Sequence, residues 1–331
     1  MDLNIFKSAI YCTLILFTTS ISFAQTKDSI SEKVSAYVAD KFPTTRAFNI
    51  EYNQSAPYQY SSKLSGINLP ENKIENLYQI KMNANINIIR GKNWMLGTTF
   101  NYRYLFAETE MTAPASYIKS NVENEYHYHS TSLNFTYFSK LFNKTVIYSN
   151  NLIVDGSEKH FERIKGLLTG TMILKANAQT KIMLGLVVNI DPSSQLPLFP
   201  TFTYEHKFKN NWVMDILLPQ RILMKKEILS NGRISLGSEL NTTSFYLYNF
   251  NGNTDRKYEF RQIEINTGIT YEHYLGSSFI ATLKTGMKNI PTGRIFDKSE
   301  TPRSYIFEAR PQASFYLNLG ISFNPFAKTK K

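Results

Sequence analysis

Few residues in this sequence are arranged for chemistry. Of five histidines, two stand close together in His127-Tyr128-His129, with Thr131 two positions further on. In an extended chain, positions two apart share a face. A hydroxyl would then stand beside an imidazole, as in an activated nucleophile. No orienting carboxylate accompanies His129 and Thr131 in the sequence, and rim histidines among aromatic residues are the simpler reading. The run Asn249-Phe250-Asn251-Gly252-Asn253-Thr254-Asp255 alternates oxygen donors in the manner of a calcium loop. It lacks the spacing and the distal Glu that such a loop uses, and reads as a Gly/Asn turn. The single cysteine, Cys12, excludes a disulfide framework and a Cys-ligated zinc site. Acyl-hydrolase, zinc-protease, P-loop and dinucleotide fingerprints are all missing. The expectation is a chain with no cofactor and no metal.

The elements that would position any site begin after an address. Residues 1–24 have a positive start at Lys7, an apolar core from Ala9 to Phe17 and a small-x-small cleavage site at Ser22-Phe23-Ala24. This is the pattern of an export signal, and the apolar core is too short to span a bilayer. Its removal takes one acid (Asp2) and one base (Lys7), so the net charge of +11 is unchanged. An exported chain rarely meets nucleic acid, so attraction to anionic lipid headgroups is the simpler account of the basic surplus. Residues 25–45 form a lead-in. Within it Ile30, Val34 and Val38 are spaced for a short helix after Ser29.

From residue 46 the pattern has a period of two. Tyr78, Ile80, Met82, Ala84, Ile86 and Ile88 alternate with Gln79, Lys81, Asn83, Asn85 and Asn87. Phe315, Leu317, Leu319, Ile321 and Phe323 alternate with Ser314, Tyr316, Asn318, Gly320 and Ser322. Each such segment is a strand with one greasy and one polar side. Fourteen are predicted: 46–54, 75–90, 94–107, 127–139, 144–155, 162–176, 181–191, 200–209, 212–220, 221–229, 232–248, 257–273, 278–289 and 310–324.

The connections alternate too. Arg90–Asn93, Ser139–Lys144, Ala176–Lys181, Lys209–Asn211, Ser230–Arg233 and Tyr274–Ser278 are short, whereas 54–74, 107–126, 191–199, 249–256 and 289–309 are long, with the tight turn at Pro219 as the exception among them. A secreted sandwich has no reason to take turns in this way. A membrane barrel has one, since its periplasmic turns are short and its outer loops long. Inside hydrocarbon every backbone group must be bonded internally, so strands can span only as a closed ring. Trp94 and Trp212 each open a strand just after a short turn, where an interfacial girdle lies. The predicted fold is all-β, a transmembrane antiparallel up-and-down β-barrel of about 14 strands (12–16) over 46–324, ending in a basic tail at 325–331.

On these features, and on the aromatic final strand running to Phe323-Asn324-Pro325-Phe326, the chain resembles bacterial outer-membrane β-barrel proteins of the porin and transporter type. The resemblance implies a place in the outer membrane, lipid and lipopolysaccharide around the wall, and handling by the barrel-assembly machinery. The basic tail departs from the aromatic ending common in such barrels. His129 and Thr131 also resemble the outward His and Ser of lipid A deacylase barrels, with Thr131 at the Ser position.

If the apolar faces meet lipid, the other faces line the lumen. That assigns Glu51, Lys81, Arg103, Asp155, Glu205, Lys207, Asp215, Glu239, Glu264, Glu272, Lys284 and Lys288 inward, with Glu264 set opposite Lys288 across one hairpin. The signs are interspersed, so bracing of the wall is a simpler reading than a selective constriction. The expected function is a passive channel or transporter for small solutes. The alternatives are a non-conducting structural or interaction barrel using 107–126 and 289–309 for surface contacts, and an acyl hydrolase built on His129 and Thr131.

Overall fold

The computed structural model describes residues 42–43, 45–113, 118–252 and 256–325. The export signal, the lead-in helix expected around Ile30, Val34 and Val38, and the tail beyond Pro325 lie outside these residues. The strands in chain order are β1 (Phe48–Ser55), β2 (Tyr58–Leu64), β3 (Ile67–Arg90), β4 (Trp94–Thr112), β5 (Lys119–Leu141), β6 (Lys144–Gly156), β7 (Phe161–Ala176), β8 (Thr180–Ile190), β9 (Leu198–Lys207), β10 (Trp212–Leu218), β11 (Arg221–Ile228), β12 (Gly232–Tyr248), β13 (Lys257–Gly276), β14 (Phe279–Asp297), β15 (Tyr305–Pro311) and β16 (Ser314–Phe323).

Every neighbour is antiparallel, and the sheet closes because β1 pairs with both β3 and β16. β2 continues the line of β1, and β15 that of β16, so sixteen strands make a ring of fourteen staves. Below the level where the outer strands extend, the ring leaves no edge for another chain to join.

Side-chain alternation decides which way each face points. Isoleucines and leucines such as Ile86, Leu133, Leu152, Leu184, Ile222, Ile269, Leu319 and Ile321 are exposed on the outside, at 44–57%. In water this continuous apolar surface would be a severe liability; against acyl chains it is the stable arrangement. Aromatic girdles bound it. Trp94 with Phe135 and Phe279 with Phe323 lie toward the end that carries the tight turns. Tyr52, Tyr78, Tyr104, Phe106 and His127 lie toward the other end.

The wall is lopsided. β10 and β11 have only 7 and 8 residues, whereas β3 and β5 have 24 and 23. At about 3.3 Å per residue and a tilt of roughly 40°, the β10–β11 hairpin rises roughly 18–20 Å, less than the ~25 Å apolar band. The tall staves rise well above it. There β5, β4, β3, β2, β15, β14, β13 and β12 curl into a narrower upper tier, and its two free edges, β5 and β12, touch. Eight strands enclose just enough room for side chains to fill. Tyr58, Leu77, Leu105, Ala107 and Phe245 fill it, with Ile74, Tyr126, Tyr128 and Phe260 packed around them.

A crease makes this narrowing possible. Gly237, Gly268 and Gly286 stand in register across β12, β13 and β14. A Cβ on Gly268 would lie 2.0 Å from the Thr285 carbonyl oxygen, and one on Gly286 2.2 Å from that of Thr267. Only glycine lets these backbones approach so closely while the wall bends.

The outer connections differ in kind from the sequence expectation. Residues 54–74, 107–126 and 289–309 fold largely as β2, β15 and the upper parts of β3, β4, β5 and β14. Above the apolar band both faces of a strand meet protein or water, so the one-sided pattern that marks a lipid-facing strand fades while backbone pairing continues. The turn expected over 274–278 is tighter as well, with Ser277 and Ser278 between the strands and both at positive φ.

Candidate functional site

Contacts between strands that are not neighbours fall into three levels along the barrel, the first two inside the lumen. At the tight-turn end lies a cavity of about 350 Å³. Here Arg46, just before β1, donates to Glu272 of β13, to Thr282 Oγ1 at 3.1 Å and to Ser322 Oγ at 2.6 Å. Arg233 pairs with the same Glu272 at 2.7 Å. Asp215 holds both Arg221, at 3.1 Å, and Lys225. Lys284 meets Glu239 at 3.1 Å, and Glu51 accepts from Asn49 at 2.8 Å and Asn318 at 3.1 Å. Phe42 is buried against Tyr274 and Ile280 beside this cavity.

The second level sits at mid-wall. Lys288 reaches Glu264 at 3.8 Å, Ser55 Oγ at 3.1 Å and Asn53 Oδ1 at 3.3 Å, while Gln262 donates to Glu264 at 2.7 Å. The two charged side chains meet diagonally, because a bulge between Ile263 and Ile265 shifts the register so that Lys288 faces Asn266. Lys81 and Arg103 face each other across β3 and β4 at this level.

The third level is a latch at the outer end. Lys165 pairs with Asp155 at 2.5 Å and reaches Asp191 at 3.7 Å. Arg163 of β7 meets Glu259 of β13, nearly across the ring, at 2.7 Å, and Asp191 at 3.4 Å. Arg163 also donates to Ser193 Oγ at 2.6 Å, and Arg261 donates to Ser193 O at 2.9 Å. Tyr128 and Tyr246 both donate to the fully buried Asp155, at 2.9 and 2.8 Å. Alongside, Glu162 gathers Lys257, Lys298 and Tyr248. Asp191 lies in the outer loop 191–197. Burial alone would raise its carboxyl, but Lys165, the Ser193 hydrogen bonds and Arg163 outweigh burial and hold it below the usual aspartate range. The latch therefore ties the low side of the ring to the outside of the upper tier.

The residues singled out in the sequence fall into these levels unevenly. Glu51, Glu239, Glu272 and Lys284 line the cavity, with Asp215 beside it. Asp155 belongs to the latch, and Glu264 and Lys288 to mid-wall. Glu205 pairs with Lys181 at 2.7 Å, and Lys207 is exposed near the tight turns. His129 presents its ring to the face or edge of Phe161 at 5.6 Å, and Thr131 is exposed; no hydrogen bond joins them among the described residues. His127, in contrast, bonds the Tyr102 hydroxyl at 2.9 Å within the girdle. Part of the loop Asn249–Asp255 lies outside the described residues, and among those described no cluster of metal-ligating side chains occurs.

Sequence reasoning missed Arg46, Arg163, Lys165, Asp191, Arg221, Lys225, Glu259 and Arg261. The parity of Arg163 and Lys165 on β7 pointed inward, but the segment's blurred pattern hid it. Glu259 and Arg261 had no local signal. They lie on the face of β13 that meets lipid lower down, and only the upper tier turns that face toward the latch.

No protein-family model and no curated protein matches the chain. Among solved structures it is similar to an outer membrane channel from Pseudomonas putida F1, with 10% identity, 90% of this chain and 99% of that chain covered, and a TM-score of 0.36. It is also similar to the transport unit of the autotransporter AIDA-I from Escherichia coli, with 12% identity, 95% and 97% covered, and a TM-score of 0.31. A Pseudomonas aeruginosa FadL homologue gives 7% identity, 86% and 91% covered, and a TM-score of 0.33.

Proposed function

We propose that the protein is an outer-membrane channel for small polar solutes that rests closed at its outer end. The apolar belt and its two girdles support a place in a bilayer, surrounded by outer-membrane lipid. Both termini of the ring lie at the tight-turn end, which is the periplasmic side in this reading. Export and delivery to the barrel-assembly machinery belong to the same proposal. The low side of the lumen, lined by residues such as Ser149, Asn151, Thr169, Thr171, Gly185, Thr201 and Thr203, leaves these positions partly accessible and so supports a water-filled chamber. The observation that carries the closed state is the latch, in which Arg163 and Glu259 join opposite parts of the ring at 2.7 Å.

Planar-bilayer recording tests this. The wild-type barrel is expected to be nearly silent. Glu259→Ala leaves Arg163 and Arg261 without their shared carboxylate and is expected to produce stepwise openings. A folded Glu259→Ala barrel that stays silent would overturn the proposal. That outcome would favour the second reading, a non-conducting surface barrel, which the solid core of the upper tier supports.

A further inference from the structure

Most charges of the lumen are paired among the described residues; Lys81 and Arg103 are not. Lys81 and Arg103 stand directly opposite each other on β3 and β4, a like-charge pair in register. Among the described residues, neither makes a hydrogen bond, and no carboxylate oxygen lies within 4.0 Å of either. A carboxylate is at hand but engaged elsewhere. Glu51 is the register partner of Lys81 on the other side, yet it accepts from Asn49 and Asn318. Glu264 is taken by Lys288 and Gln262. Arg103 lies over the rings of Tyr128 and Phe245, 5.8 and 5.9 Å from their centroids, which leaves its guanidinium N–H groups unused.

A third donor converges here. Gln79, one inward position above Lys81, is 6% exposed, and its buried Nε2 has no partner among the described residues. The inward sequence on β3 runs Asn85, Asn83, Lys81, Gln79, Leu77. On β4 it runs Thr99, Asn101, Arg103, Leu105, Ala107. The cavity is lined by Asn85 and Asn83, and the apolar core begins at Leu77 and Leu105. The three donors thus lie in register between the cavity and the apolar core. Two half-buried cations side by side and a buried amide without an acceptor cost free energy unless something supplies the acceptors.

We infer that Lys81, Arg103 and Gln79 form a binding site for a small oxyanion, a carboxylate or phosphate group, entered from the tight-turn end of the chamber. This deepens the channel reading, since it rests on the interior being a water-filled chamber and names the charge class of the solute. A planar oxyanion suits the fork of Arg103, with Lys81 as a point charge beside it.

The test uses the full mature barrel in zwitterionic detergent, with inorganic phosphate as the probe, titrated calorimetrically at fixed ionic strength. Wild type is expected to bind one phosphate per barrel saturably. Lys81→Met and Arg103→Met are each expected to weaken binding by about tenfold or more, the range for a hydrogen bond to a charged group. Lys119→Met, on the outer surface beside Glu110, is expected to bind as wild type does. A second readout separates binding from bracing. Without phosphate, Lys81→Met is expected to unfold at the same temperature as wild type or higher, because it removes a half-buried charge that faces the like charge of Arg103. The inference is overturned if wild type shows no saturable binding, if the double variant binds equally well, or if Lys81→Met lowers the unfolding temperature as loss of a wall brace would. Phosphate binding by a barrel whose Glu259→Ala form stays silent would remove the channel reading and keep the site. Openings in Glu259→Ala without phosphate binding would do the reverse.

Discussion

Arg163 and Glu259 show how a residue's role depends on what it meets across the ring rather than along the chain. Both side chains are buried, at 7% and 1% exposure, and removing one partner of such a pair leaves the other charged and dry. Asp191 adds a pH signature to the latch. Its carboxyl is held below the usual range by Lys165, Ser193 and Arg163, against the effect of burial. A depressed carboxyl stabilises the folded state fully above its unfolded value, about 4 for aspartate, and this contribution fades as pH falls through the lower folded value. The latch is therefore expected to stay shut from pH 7 to about 4.5 and to loosen only below that. Conductance recorded across this range checks it; openings that begin near pH 6 would contradict it. Much of this scale was not legible in the sequence. Glu264 and Lys288 could be paired from parity within one hairpin. Glu259 and Arg163 could not, because they stand 96 positions apart in the chain and no local pattern links them.

At the scale of elements, lipid-facing strands were legible because one face meets oil and the other water, which forces period-two alternation on β3, β13 and β16. The upper tier was hidden because its strands escape that demand. Residues 107–112 of β4 and 119–126 of β5 carry glutamates on the outer face, at Glu108, Glu110, Glu123 and Glu125, where a membrane strand would carry leucines. The bend between the tiers belongs to the glycine row. Gly268→Ala is expected to fail to close the barrel, since its Cβ would meet a backbone oxygen at 2.0 Å. The check is heat-modifiable gel mobility after refolding, with normal mobility counting against the crease. Phe245, 1% exposed in the upper core, tests the tier itself. Phe245→Ala is expected to cost about 3–5 kcal/mol and to expose the β4–β5 hairpin to protease first, while the lipid-embedded staves stay protected. Uniform protection would mean that the upper tier does not depend on this core.

The whole molecule is a fourteen-stave ring whose tall side folds over its low side. Fourteen staves with short connections at one end were expected from the alternation, and the ring has them. The fold-over depends on unequal strand lengths, 7 residues in β10 against 20 in β13, and on contacts between distant staves that alternation does not encode. It also makes one face of β13 change its surroundings along its length. Thr267 and Ile269 are exposed in the apolar band, whereas Glu259, on the same face, is 1% exposed under the latch. A nitroxide scan along β13 in lipid bilayers reads this directly through oxygen and a water-soluble relaxant. Labels at 267 and 269 are expected to be reached by oxygen from the lipid, and labels at 259 and 261 by neither reagent. Oxygen access at 259 equal to that at 269, or water access at both, would contradict a tall side folded over a lipid-belted ring.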